Sequence, residues 1–204
     1  ITGTNDAPVA TANTNSIAED AVAPVTGNMI TDDDTFGVDS DLDGDSLSVS
    51  SISGDESGSV DGLYGTLTWN SNGTYTYDID ENADWGEGTI ANLANDEQGP
   101  TDVFTYNVTD GDKTDTQTLS ITIFGANDGP TATPNDYDTK EDMSVGGNVL
   151  TDNTGSGTDS DPDGDSLTVQ SNTDPSNGTV VVNANGTFLY TPDGDFNGQD
   201  SFTY

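Results

Sequence analysis

The chain contains no cysteine and no histidine, and only two of its 204 residues, Lys113 and Lys140, are basic. Without cysteine there are neither disulfides nor thiolate metal sites. Without cysteine or histidine the usual pairing of a nucleophile with a base has no members. The near absence of positive charge excludes binding to nucleic acid and to anionic membranes, both of which need basic patches. No apolar run approaches the length that spans a bilayer. No initiator methionine or leader segment opens the sequence, and Ile1-Thr2-Gly3 reads as the tail of an earlier strand, so a piece of something longer is expected.

What the chain has in excess is acid: 38 Asp and Glu residues give a formal charge of −36. Apolar residues make up 29%, below the share usual for a globular domain. Low hydrophobicity with high charge is also the signature of disorder. Against that reading, the apolar residues lie in short alternating runs rich in Trp, Tyr, Phe, Ile and Val. A compact state needs something to neutralise the carboxylates, and a chain with two cations of its own points to a metal.

Self-similarity organises the sequence. Asp39-Ser-Asp-Leu-Asp-Gly-Asp-Ser-Leu-Ser-Val49 returns 120 residues on as Asp159-Ser-Asp-Pro-Asp-Gly-Asp-Ser-Leu-Thr-Val169, with nine of eleven positions identical. Gly3-Thr-Asn-Asp-Ala-Pro8 returns as Gly125-Ala-Asn-Asp-Gly-Pro130, and Glu19-Asp20 as Glu141-Asp142. Asn72-Gly-Thr-Tyr-Thr-Tyr77 returns as Asn185-Gly-Thr-Phe-Leu-Tyr190, and Asp102-Val-Phe-Thr-Tyr106 as Asp200-Ser-Phe-Thr-Tyr204. Five motifs in one order are two copies of one domain. The first carries an insertion at 80–100, and the second is expected to lack its last strand, the counterpart of 118–124.

Period-two alternation marks strands. Leu47 and Val49 share a face, as do Phe104, Tyr106 and Val108, and Leu119, Ile121 and Ile123. Leu67 and Trp69, then Tyr75, Tyr77 and Ile79, flank the hairpin turn Asn70-Ser-Asn-Gly73. In the second copy Val180/Val182, Phe188/Tyr190 and Phe202/Tyr204 repeat the pattern. Only 90–97 could form a helical turn. Short strands between frequent turn signals predict an all-β sandwich of about seven strands. Counting strand directions puts the Asp39–Asp45 loop at the end where the chain leaves the first domain, beside Asn127-Asp128, and the Asp110-Gly111-Asp112 turn at the other end, beside Asn5-Asp6.

A D-x-D-x-D-G-D run presents carboxylates at a spacing of two with a glycine for the sharp turn, which suits Ca²⁺ and its six to eight oxygen ligands. The EF-hand is excluded, because its twelfth position needs a bidentate Glu and here holds Ser50 or Gln170. Mg²⁺ fits less well, being near-octahedral and slow to shed water. A solvated, solubilising acidic turn is the plain alternative. The candidate ligands are Asp39, Asp41, Asp43 and Asp45 with Glu19 and Asp20 in the first copy. Asp159, Asp161, Asp163 and Asp165 with Glu141 and Asp142 are those of the second. Asp32 and Asp33 are further donors. Asn5, Asp6, Asn127 and Asp128 read as bridging ligands or as linker turns before proline. Asp110 and Asp112 read equally as ligands or as a tight Asp-Gly turn. Trp69 alternates with Leu67 and reads as core, whereas Trp85, in the insertion, is open between packing and recognition of a sugar ring. The sequons at Asn72, Asn107, Asn177 and Asn185 read as turn and strand positions. Carboxylates abound, yet nothing marks two of them in the contrasting environments a glycosidase needs, so no enzyme is expected.

The motifs resemble the VCBS and cadherin-like tandem repeats of giant bacterial RTX-type adhesins. They are Gly3-Thr-Asn-Asp-Ala-Pro-Val-Ala10, Glu19-Asp20, Asp39–Asp45 with Leu47 and Val49, Thr74-Tyr-Thr-Tyr77 and Asp102-Val-Phe-Thr-Tyr-Asn-Val-Thr-Asp-Gly111. The first copy is similar to a VCBS repeat through its insertion. The second is similar to the plainer cadherin-like repeat through Glu141-Asp142, Asn148-Val-Leu150 and Asp159–Val169. The glycine-rich nonapeptide repeats of RTX tails are absent. The resemblance implies two tandem Ig-like/cadherin-like antiparallel β-sandwiches, the second truncated at its C-terminus. Residues 1–7 would be linker and the end of a preceding repeat, 8–126 a VCBS-like sandwich, 127–130 a calcium-binding linker and 131–204 a cadherin-like sandwich. It further implies a calcium-rigidified extender of a secreted adhesin, exported by a type I route to the bacterial cell surface and active in attachment and biofilm. Its partners would be neighbouring repeats and a possible glycan or cell-surface ligand. The alternatives are a glycan- or protein-binding adhesive module, and an accessory domain of a secreted polysaccharide-degrading enzyme.

Overall fold

The computed structural model describes residues 3–86 and 88–204; the reading of Ile1-Thr2 as strand tail, and Glu87 of the insertion, lie outside them. The chain divides into two compact units, 1–127 and 128–204. The all-β expectation holds: the described residues carry eleven strands and one short 3₁₀ turn.

The first unit is a sandwich of two four-stranded sheets. One sheet has the order β1 (Asn13–Ala18), β8 (Thr114–Phe124), β7 (Gln98–Thr109), β3 (Ser48–Ile52). The other has the order β2 (Val25–Asn28), β6 (Thr74–Ile79), β5 (Gly65–Trp69), β4 (Ser59–Asp61). One pair departs from the antiparallel expectation: β1 runs parallel to β8, with Asn13 opposite Leu119 and Ala18 opposite Phe124. The alternating residues meet between the sheets. Leu67, Tyr77, Tyr106, Val108, Leu119, Ile121 and Ile123 are all fully buried, and Trp69, Tyr75 and Phe104 nearly so. Each such side chain contributes about 1.5–3 kcal/mol by leaving water. In β3 the alternation holds as far as Ser51 and fails at Ile52, where a strand irregular in register between Val49 and Ser51 leaves both Ser51 and Ile52 inward.

The insertion is part of this core. Its 3₁₀ turn, Ile90–Asn92, and the following Leu93 bury two aliphatic side chains completely. It folds back on the end of β8, where Gly125 donates to the Glu97 carbonyl at 2.9 Å. Gly125 has no room for a side chain, since a Cβ there would stand 2.0 Å from the Ala94 carbonyl oxygen. Trp85 is half-buried against the same core.

Tyr106 ties the first sheet to the loops that cross the N-terminal end of the sandwich. Its hydroxyl donates to the Thr11 carbonyl and accepts from Asn13 Nδ2 at 2.7 Å, and Asn13 also donates to the Met29 carbonyl at 2.8 Å. Tyr106→Phe leaves the Asn13 amide and the Thr11 carbonyl short of a partner in a dry site. The expected loss is about 1–3 kcal/mol, read as a lower urea midpoint with unchanged slope.

The second unit repeats this framework more sparsely. Its described strands are β9 (Val145–Asn148), β10 (Gly178–Val182) and β11 (Thr187–Pro192), in the order β10-β11-β9. The expected strand through Phe202 and Tyr204 does not form, and neither do counterparts of β1 and β3. Residues 135–140 correspond to β1 and 202–204 to the part of β7 around Tyr106; the Thr203 carbonyl accepts from Thr173 N–H at 2.9 Å. Tyr204 nevertheless takes the role of Tyr106, donating to the Thr133 and Val149 carbonyls at 3.0 and 3.1 Å. Asn135 repeats Asn13, donating to the Val149 carbonyl at 2.9 Å.

Candidate metal centre

The Asp39–Asp45 loop lies at the end where the chain arrives, not where it leaves. Ser40 bridges Val9, and the Asp6 N–H donates to Asp43 Oδ2 at 2.6 Å. The expected meeting with Asn127-Asp128 is therefore corrected, and the cause is β2. That strand has four residues with a single large apolar side chain, so it gave no alternation, yet it adds one crossing of the sandwich and returns the chain to the end where β1 starts before the acidic loop begins. Asn5 sits beside the Asp110–Asp112 turn at this same end, its Nδ2 donating to Asp110 Oδ2 at 2.9 Å while the Lys113 ammonium bonds the Asn5 carbonyl.

Within the loop the aspartates differ. Asp41 Oδ1 accepts from the N–H groups of Asp43 and Asp45 at 2.8 and 3.2 Å, closing a turn around Gly44, whose φ is +80°. The carboxylates of Asp41, Asp43 and Asp45 offer oxygens all within 4.8 Å of one another. Asp39 is 7% exposed; its Oδ1 accepts from Thr11 N–H at 2.7 Å, and its Oδ2 has no hydrogen-bond partner. Asp41 Oδ2 is likewise buried and unpartnered. Burial pushes the Asp39 carboxyl above its ordinary pKa; the Thr11 donors oppose this, and the nearby Asp115 charge adds to it. Two buried carboxylate oxygens facing no donor, in a chain almost without cations, are what a divalent oxygen-seeking ion satisfies. The donor set fits Ca²⁺: all hard oxygens on a flexible, glycine-containing loop.

Glu19 and Asp20 do not join this group. Glu19 follows β1 and so stands roughly 25 Å from Thr11 at about 3.3 Å per residue. It is 2% exposed and accepts from Leu93 N–H at 3.1 Å and Ala126 N–H at 3.0 Å. Its work is to fasten the insertion and the departing chain. Asp32 Oδ2 accepts from Asn28 N–H at 2.6 Å, closing the turn after β2. Asp110 is held below the ordinary carboxylate range by the Lys113 and Asp112 N–H groups.

The second unit copies the loop chemistry bond for bond. The Asp128 N–H donates to Asp163 Oδ2 at 2.7 Å, Asp161 Oδ1 accepts from Asp163 and Asp165 N–H at 3.0 and 3.3 Å, and Asp159 Oδ1 accepts from Thr133 N–H at 2.7 Å. Its three loop carboxylates do not form a group as tight as the first unit's. The one such group there joins Glu141 and Asp142 to Asp195, all exposed. Two participants escaped the sequence reading. Asp115, whose Oδ2 accepts from Ala10 N–H at 2.9 Å, could have been found by extending the acidic run past Asp112. Asp195 stands in an Asp-Gly-Asp turn that echoes 110–112. Trp69 is core, as its alternation implied.

A β-sandwich followed by a second unit with the same loop bonds, each fastening its own incoming chain to an acidic loop, defines a tandem of repeated modules. The chain belongs to the bacterial cadherin-like domain family, which matches residues 5–125; the bacterial Ig domain matches residues 127–204. The cadherin-like/Ig-like tandem expected from the motifs is thereby met. Among solved structures, human protocadherin-24 EC1-2 is 16% identical, over 96% of this chain and 82% of that one, with a TM-score of 0.49. The endo-fucoidan hydrolase MfFcnA4 of glycoside hydrolase family 107 is 20% identical over 92% of this chain, with a TM-score of 0.33. The related MfFcnA9 is 14% identical over 98%, also at 0.33. This chain spans only 24% and 32% of those two hydrolases. No curated protein sequence matches it significantly. Bacterial cadherin-like and Ig domains are typically structural or adhesive modules, non-catalytic, and extracellular or surface-exposed. Among the described residues no helix is long and apolar enough to cross a membrane.

Proposed function

We propose that this chain is a calcium-stabilised extender segment of a large secreted adhesin, with Ca²⁺ held at the N-terminal end of each unit. The observation that carries the reading is the pair of buried, unpartnered oxygens on Asp39 and Asp41 beside the converging carboxylates of Asp43 and Asp45. In the first unit the holding residues would be Asp39, Asp41, Asp43 and Asp45 with Asn5 and Asp6, and Asp110 and Asp115 close by. In the second they would be Asp159, Asp161, Asp163 and Asp165 with Asp128, and Asn127 adjacent in the chain. Neutralised loops would grip the incoming linker at Asp6 and Asp128, so that a string of modules gains stiffness from its neighbours in sequence.

The parent protein in this reading is an RTX-type adhesin, exported through a type I route and serving attachment and biofilm growth. A charge of −36 destabilises the metal-free chain by self-repulsion in a low-calcium cytosol, and extracellular calcium then stabilises and stiffens the fold. Extracellular calcium modules bind near 10⁻⁴–10⁻³ M.

Calorimetric titration with Ca²⁺ tests the proposal, together with hydrogen exchange at the amides of Asp6 and Asp128. The expected result is saturable binding with slowed exchange at both amides. Asp41→Asn should weaken the first unit's site about tenfold or more and restore fast exchange at Asp6 alone. Exchange that is identical in EDTA and in millimolar calcium would end the idea.

A further inference from the structure

We propose that Lys113 is a positioning residue, a metal-free latch that seats the incoming chain at Asn5, so that Asp6 already faces the acidic loop when a cation arrives. Its bearing on calcium rests on the site proposed above; the latch itself does not.

Lys113 is the only basic side chain of the first unit. It stands in the turn 110–113 between β7 and β8, strands joined by the longest of the described ladders. Val108 and Leu119, both fully buried, root this hairpin in the core. The turn is fixed from within. Asp110 Oδ1 accepts from the N–H groups of Asp112 and Lys113, each at 2.7 Å, and the Thr109 hydroxyl donates to the Lys113 carbonyl at 2.8 Å. What is left over points at the linker: Asp110 Oδ2 accepts from Asn5 Nδ2 at 2.9 Å, and the Lys113 ammonium donates to the Asn5 carbonyl. Asn5 is thus held at its side chain and at its backbone by one rigid hairpin, through bonds that need no metal. Further along, the Ala10 N–H donates to Asp115 Oδ2 on the same hairpin, at 2.9 Å.

The other bonds of the incoming segment go to a different support. The Asp6 N–H reaches Asp43, Val9 pairs with Ser40, and the Thr11 N–H reaches Asp39. These partners lie on the acidic loop, whose carboxylates repel one another until a cation joins them. Residues 5 and 10 therefore belong to the hairpin, and 6, 9 and 11 to the loop. The chain is seated by one side before it is clamped by the other.

Two effects of Lys113 on calcium oppose each other. Its charge repels an incoming ion, but the side chain is exposed, and salt screens exposed charges. As a latch it orders a linker residue in advance, and fixing one residue's backbone is worth about five- to thirtyfold in an equilibrium constant. The ordering wins. Removing the charge should weaken calcium binding, the reverse of what repulsion alone requires.

Nuclear magnetic resonance of the whole 204-residue chain tests this with Lys113→Met and Lys113→Arg. In EDTA, Asn5 and Asp6 of the unaltered chain should show the backbone order of β7, and the Asn5 side-chain amide should resonate away from the position of a free asparagine. In Lys113→Met both residues should become mobile on the nanosecond scale and that amide should return to the free position. Unmoved β7 and β8 resonances show that the fold is kept. Lys113→Arg, which retains a donor, should stay ordered. On titration with Ca²⁺, Lys113→Met should bind about fivefold more weakly at the first unit, and Lys113→Arg as tightly as the unaltered chain. The latch is overturned if Asn5 has the same order in EDTA with and without the ammonium, or if Lys113→Met binds calcium as tightly as the unaltered chain or more so. An unaltered chain that binds no calcium sinks the site proposed above, and the comparison in EDTA then decides the latch by itself.

Discussion

In EDTA the chain should become more stable as pH falls from 7 toward 4.5, and calcium should invert that profile. The folded Asp39 carboxyl titrates above its ordinary value of 3.8 because it is buried beside Asp115. The native state therefore binds more protons than the unfolded state in the window above that value, and stability drops as pH rises through it. The overall repulsion in a chain of net charge −36 also eases on acidification, while Asp55, Asp110 and Asp200, whose carboxyls lie below the ordinary value, pull the other way near and below it. Calcium removes the penalty by giving Asp39 and Asp41 the positive partner they lack. At ten to a hundred times the dissociation constant a ligand adds about 1.4–2.7 kcal/mol per site, which raises Tm by about 5–10 °C in a domain of this size. In calcium the profile should then fall on acidification, as protons compete for the ligand oxygens. Asp39→Asn separates the two effects, because it should raise Tm by a few degrees in EDTA and forfeit most of the gain in calcium. A melting profile in EDTA that climbs steadily from pH 4.5 to 7 contradicts this account.

Asp102→Ala should be the most damaging single substitution outside the metal loops. Asp102 is 2% exposed and has no cation; it accepts from Leu63 N–H at 2.8 Å, Tyr64 N–H at 3.0 Å and Tyr77 hydroxyl at 2.7 Å. It thus pins the β4–β5 turn to β7 across the sandwich. Burial, and then the adjacent Asp102, raise the Tyr77 phenol above its ordinary pKa, so it remains a donor throughout the usual range. Removing the carboxylate strands three buried donors, an expected loss of about 3–5 kcal/mol. The same bonds recur at Asp200 with Ser176 N–H, Asn177 N–H and the Tyr190 hydroxyl at 3.0, 2.8 and 2.9 Å. Asp200 is only half-buried, water replaces what is lost, and Asp200→Ala should cost far less than Asp102→Ala. Urea titration separates the two, because both tryptophans, Trp69 and Trp85, belong to the first unit. Their fluorescence midpoint should collapse in Asp102→Ala and hold in Asp200→Ala.

The strands that were legible in the sequence are those whose burial follows a strict period of two, such as Phe104-Tyr106-Val108 and Leu119-Ile121-Ile123. β2 was not, because Val25-Thr-Gly-Asn28 has one apolar side chain to show, and Gly27 is there to let the Tyr75 ring pass: a Cβ would lie 2.5 Å from its hydroxyl oxygen. Missing that one strand was enough to send the acidic loop to the wrong end. The repeated aspartates announced a metal-binding chemistry but not a division of labour. Whether Asp39 is buried while Asp43 is exposed depends on the bridge from Val9 to Ser40, a contact across 31 residues that no local pattern encodes. Glu19 was misassigned for a related reason: proximity to the acidic motifs in sequence says nothing about which end of β1 it stands on.

The parallel pairing of β1 with β8 has a mechanical meaning. Tension drawn along the chain pulls the start of β1 and the finish of β8 in opposite directions, while the six matched positions from Asn13–Leu119 to Ala18–Phe124 lie side by side between the points of pull. Those rungs must slide past one another together instead of peeling apart singly, so load is shared across the whole patch. A module wired in this way should yield at a higher pulling force than one whose terminal strands come apart rung by rung.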